Sequence, residues 1–112
     1  MAEDPVPRPG RPVRGSATGR PLMAALDLLG RRWTLRVIWE LRQGHVGFRE
    51  LQRRCERMSS SVLTTRLGEL TEARIVESGE DGYRLTPLGV RLLEALHPLE
   101  EWGLAWEKAL RE

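Results

Sequence analysis

Apolar positions recur at helical spacing from residue 21 onward and give way to strand spacing once, between residues 75 and 86. The stretch "PLMAALDLLG" carries Leu22, Ala25, Leu26 and Leu29 on a helical repeat, with Pro21 suited to a first turn and Gly30 to a stop. In "RWTLRVIWELRQG" Thr34 is a usable N-cap for Leu35, Val37, Ile38 and Leu41, and Gly44 closes the run. "GFRELQRRCER" sets Phe48, Leu51 and Cys55 on one face and Arg49, Gln52, Arg53 and Arg57 on or beside the other. A fourth helix is predicted where Leu63, Leu67 and Leu70 fall at i, i+4 and i+7, with Ser59 as N-cap. Its front end, "SSSVLTT", is poor helix material, because hydroxyl side chains compete for backbone hydrogen bonds.

The period then changes. Ile75-Val76-Glu77 and Tyr83-Arg84-Leu85-Thr86 are short β-prone runs separated by "SGEDG", a hairpin turn signal. Thr86-Pro87 opens a last helix carrying Leu88, Leu92, Leu96, Leu99, Trp102 and Trp106, with a kink or break expected at Pro98. Four helices, a hairpin and a long C-terminal helix describe a mainly α fold with a small β-hairpin, a winged helix-turn-helix. The third helix supports and the fourth recognises. Residues 1–20, with four prolines and three glycines, bury too little surface to offset their ordering entropy. They are expected to form a disordered basic arm ahead of a single domain over residues 21–112. Gly10-Arg11-Pro12 is similar to the core of minor-groove AT-hook arms, a triplet common by chance.

Charge sharpens this picture. Residues 31–66 hold nine arginines against three glutamates, a local balance of +6, whereas residues 67–112 balance at −5. One surface suited to a polyanion and another that is not would explain the split, and so would solvated ion pairs. No apolar run reaches membrane-spanning length and no apolar leader is visible, so a cytoplasmic protein with no membrane partner is expected. The single cysteine, Cys55, suits a reducing compartment and shares a face with Phe48 and Leu51, as a buried thiol would. No spacing of metal ligands, phosphate-binding loop or nucleophile with its base occurs, so neither an enzyme nor a cofactor is expected.

Four stretches in order carry a resemblance: "LGRRWTLRVIWEL", "GFRELQRR", "MSSSVLTTRLGELTEARIV" and "YRLTPLG". Together they span roughly residues 21–106, and the chain resembles the HxlR-type winged helix-turn-helix transcriptional regulators, a bacterial family. The matched positions include Phe48, Glu50 and Leu51, then Ser59, Leu63, Thr64, Arg66 and Leu67, then Tyr83, Leu85, Thr86 and Gly89. The resemblance implies a dimeric DNA-binding repressor or activator. Three departures stand out. Gly47 replaces the arginine before Phe48, the segment ahead of the first helix has no sensing cysteine, and the wing "ESGEDG" is short and acidic.

Within that fold the weak front of the fourth helix gains a use. Ser61, Thr64, Thr65 and Gly68 lie away from the leucine stripe, where short hydroxyls approach base edges closely, and Ser60, near the helix N-terminus, is placed for a phosphate. Arg66 flanks them. Arg49, Arg53 and Arg57 suit the phosphate backbone, and Arg84 is the wing's available cation. Leu92, Leu96, Leu99, Trp102 and Trp106 make a stripe longer than the headpiece can cover, so a homodimer sealed together with Leu22 and Leu26 is expected. Two recognition helices about one DNA turn (~34 Å) apart would then read a palindrome in double-stranded DNA. An unidentified small-molecule effector fits between such helices. The alternative is a winged-helix protein-interaction module without specific DNA binding.

Overall fold

The computed structural model describes residues 5–112. In chain order the elements are α1 (Pro21–Leu29), α2 (Thr34–Glu40), α3 (Phe48–Arg54), α4 (Ser60–Glu72), β1 (Val76–Gly79), β2 (Gly82–Leu85) and α5 (Pro87–Arg111). This is the predicted order, a winged helix-turn-helix. The core gathers Leu28, Val37, Ile38, Leu41, Leu51, Cys55, Leu63, Leu67, Leu70 and Val76, all buried. Each leucine fully withdrawn from water contributes about 1.5–3 kcal/mol. The leucine stripe of α4 therefore seats that helix firmly and leaves its opposite face to solvent.

Two predicted caps form. Ser59 Oγ accepts from Val62 N at 3.2 Å, and Thr86 Oγ1 accepts from Gly89 N at 3.0 Å. The cap of α2 differs from expectation. Thr34 N already donates to Arg31 O at 3.1 Å, so Thr34 is the first helical residue, and Trp33, left-handed at φ 77°, takes the cap position. An N-cap must leave the helical region, and here the tight turn from Gly30 imposes that on Trp33.

β1 and β2 pair antiparallel, with Val76 opposite Leu85 and Glu77 opposite Arg84, around a two-residue turn at Glu80-Asp81. Val46, just before α3, exchanges two 2.9 Å backbone hydrogen bonds with Tyr83. Gly82, at φ 110°, passes so close to Val46 that a Cβ would lie 2.5 Å from its carbonyl oxygen. Gly89 has a similar reason to be glycine: a Cβ there would overlap the carbonyl of Ile75, where the first turn of α5 abuts the strand.

One expectation is revised. The last helix runs through Pro98 without a break over 25 residues. Proline gives the Glu94 carbonyl no N–H partner, but Pro98 and Glu94 are both exposed, which leaves that carbonyl open to solvent. In the arm, Gly10 N bonds Gly19 O at 2.9 Å, Val13 bridges Ser16, and Arg14 N reaches Asp27 Oδ2 at 3.1 Å. Left-handed glycines at 10, 15 and 19 permit these turns, and Val6 packs onto the core. Residues 1–4 of that arm lie outside the described residues.

Candidate nucleic-acid interface

α3 and α4 meet through residues 55–59, where Glu56 and Arg57 both take left-handed φ values of 58° and 60°. Gln52 clamps this turn, donating from Nε2 to Met58 O at 2.9 Å and to Ser60 Oγ at 3.1 Å. The clamp aims the N-terminus of α4 outward. Ser60, Ser61 and Thr64 are exposed there and Thr65 is half-buried, so the predicted hydroxyl face is assembled on one side of the helix. Gly68 is exposed on the same helix with open space where its side chain would be.

The arginines divide into two groups. Arg49 and Arg57 are exposed and make no ion pair or side-chain hydrogen bond with another described residue. Arg53 and Arg54 converge on Glu50, with contacts of 2.6 and 2.9 Å to its Oε2. The hydrogen bond from Arg53, then that from Arg54, lowers the Glu50 carboxyl to about 2. Its folded value lies below the ordinary 4.5, so the contact is complete above that value and is lost as pH falls through about 2. Exposed pairs of this kind are worth little. Arg84 behaves similarly. It pairs with Glu77 across the hairpin at 2.9 Å and lies 3.1 Å from His45 Nε2, remaining exposed.

Arg66 requires a correction. Expected on the DNA-facing flank, it is only 9% exposed. Its Nε donates to Arg32 O at 2.7 Å and its Nη1 to Glu69 Oε1 at 2.9 Å, while Arg31 takes the other Glu69 oxygen and also donates to Pro5 O at 2.7 Å. A buried carboxylate needs both charge and hydrogen bonds, and Arg66 supplies them from one turn away. The i, i+3 spacing of Arg66 and Glu69 was the signal for this pair. Cys55 is fully buried, and desolvation, followed by the charge of Glu40, pushes its thiol up against a smaller opposing effect of Arg36.

Of the residues expected at a dimer interface, Leu22, Leu26, Leu99, Trp102 and Trp106 are exposed, Leu22 at 68% and Trp102 at 57%. The two indoles stack with centroids 5.5 Å apart. Leu92 and Leu96 are half-buried, and Leu92 packs against the core. The helical repeat also left unremarked Leu104 and Leu110, both exposed. Among the described residues no group of three or more potential ligands could hold a metal, and no helix is long and apolar enough to cross a membrane.

Similar proteins share this architecture. The chain is 28% identical to YvaP, an uncharacterized HTH-type transcriptional regulator of Bacillus subtilis, over 73% of its own length and 82% of the relative's. It is 23% identical to MJ0925, an uncharacterized HTH-type transcriptional regulator of Methanocaldococcus jannaschii, over 78% of this chain and 86% of the other. The crystal structure of quinone-bound YodB from B. subtilis superposes with a TM-score of 0.71 at 31% identity, covering 74% of this chain and 94% of that one. The HxlR-like helix-turn-helix model matches residues 28–111. With three-quarters of its length so matched and its helix-turn-helix and wing in place, the chain belongs to the HxlR-like helix-turn-helix family of transcriptional regulators.

Proposed function

We propose that this regulator reads a specific, palindromic operator as a homodimer, presenting the front of α4 to the major groove of each half-site. The observation that carries the reading is the exposed, outward-aimed hydroxyl face of Ser60, Ser61 and Thr64 with half-buried Thr65 beside it. Arg49 and Arg57 flank that face with uncommitted charge, and Arg53 and Arg84 add guanidiniums that exchange their carboxylates for phosphates. Phosphate contacts set register and affinity; the hydroxyls, with the threonine methyls, discriminate bases. Arg66 has no part in this reading, because its charge is spent internally on Glu69.

Dimerisation is supported by the apolar face that Leu22, Leu26, Leu99, Trp102 and Trp106 leave open. A two-fold partner would cover it with an identical face and set the two α4 helices apart for successive major grooves. YodB is seen with a quinone, which supports response to a small molecule here also, by a route other than a cysteine ahead of α1. The test is binding of the purified protein to its own upstream DNA and to a scrambled duplex across a salt series. The expected result is a preference of about 10³-fold or more for the upstream fragment, with affinity falling steeply as salt rises. Equal affinity for both duplexes would overturn sequence-specific recognition.

A further inference from the structure

Away from the α3–α4 face, the N-terminal arm roofs a cavity of about 790 Å³. Its floor is apolar, built from Ala24 and Leu28 of α1, Ile75, and Leu92 of α5, with Val6 of the arm closing one side. Four guanidiniums ring it: Arg8 and Arg11 from the arm, Arg74 after α4, and Arg91 from α5. None of the four side chains makes an ion pair or hydrogen bond with another described residue, and among the described residues Glu72 is the only acid in the lining. Among the described residues, a chain that pairs most arginines of its helix-turn-helix leaves these four uncommitted around a greasy hollow.

We propose that this cavity is an effector site for a small organic anion with an apolar body, such as an aromatic carboxylate or sulfonate. The volume lies within the roughly 300–1,000 Å³ of sites that enclose small ligands. The apolar floor takes the ring system, and the guanidiniums take the anionic group in charge-assisted hydrogen bonds at the rim. Glu72 is the last residue of α4 and Ala73 and Arg74 follow it, so the recognition helix itself forms one wall. The arm that forms the roof is tied to the same helix through Pro5, Arg31 and Glu69. A ligand that moves the arm or draws Arg74 inward therefore acts on α4 at its far end. This coupling rests on the operator-binding reading; the site itself does not.

The probe is 8-anilinonaphthalene-1-sulfonate, with N-phenyl-1-naphthylamine as the neutral compound of the same ring body, each titrated by fluorescence into the full chain without DNA. Saturable binding of the sulfonate is expected. Arg74→Gln with Arg91→Gln should weaken the sulfonate about tenfold and leave the neutral compound within about twofold. Both arginines are exposed, so the fold should survive, and Ala25→Phe, which narrows the cavity, should weaken both dyes. Absence of saturable binding overturns the site, and sulfonate binding indifferent to the arginine changes overturns it and assigns the dye to the α5 stripe. With DNA present, the sulfonate should shift affinity for the upstream fragment, and DNA should shift sulfonate affinity by the same factor. Arginine-dependent binding without that shift overturns the coupling and leaves operator recognition standing. A protein that binds the sulfonate but prefers no DNA sequence overturns operator recognition and leaves the site.

Discussion

In α4 the stripe of Leu63, Leu67 and Leu70 is sealed inside the headpiece, whereas in the second half of α5 Leu99, Trp102, Trp106 and Leu110 face outward. Both helices show an apolar stripe of similar spacing. Periodicity reports that a face seeks burial; it does not say against what. α4 meets α2 and β1 within the chain, while α5 extends beyond the body those elements form. The sealed stripe positions a surface, and the open one faces solvent. Charge follows the same division, since α4 hides Arg66 and Glu69 on its inner flank while α5 keeps its ionic pairs, Arg111 with Glu107 among them, in solvent.

Substitutions can break this contrast from either side. Leu63→Ala should cost about 4 kcal/mol, as truncation of a buried leucine leaves a cavity, and should lower the midpoint of urea unfolding. A midpoint within experimental error of the parent would mean that the stripe is not sealed. Arg66→Ala should cost about 3 kcal/mol, because among the described residues Glu69 then keeps only Arg31, with a Tm fall of roughly 10–20 °C by circular dichroism. An unchanged Tm alongside weakened operator binding would return Arg66 to the DNA-contacting surface. Trp102→Glu should move stability of the isolated fold least, within about 0.5 kcal/mol, yet halve the mass seen by light scattering. A persisting dimer would relocate the interface.

Much of this fold was legible along the chain, and for local reasons. Ser59 and Thr86 act on amides three residues away, and "SGEDG" closes a hairpin between adjacent strands, so the neighbours that decide each feature are close in sequence. The features that escaped depend on distant partners. Arg66 is committed by Glu69 nearby but also by the Arg32 carbonyl, 34 residues earlier. The arm meets Asp27, Arg31 and the core, contacts that composition does not reveal. Thr34 was displaced from its cap by a turn geometry that falls on its neighbour. Of the candidate site, the hydroxyl face was readable from the register against three leucines. Which arginines stay uncommitted was not, because that depends on where every glutamate ends up.

The paired bonds between Val46 and Tyr83 carry a further consequence. Two strands of four residues each form a ribbon that is marginal by itself. Joined to the segment that enters α3, the ribbon becomes a third rail of the helix-turn-helix, held by backbone hydrogen bonds within the chain itself. A protein so braced arrives at its target already aligned and surrenders little chain freedom on docking. More of the contact free energy is then realised as affinity. The short, acidic wing thus serves as a strut, tied by backbone bonds to the segment that enters α3.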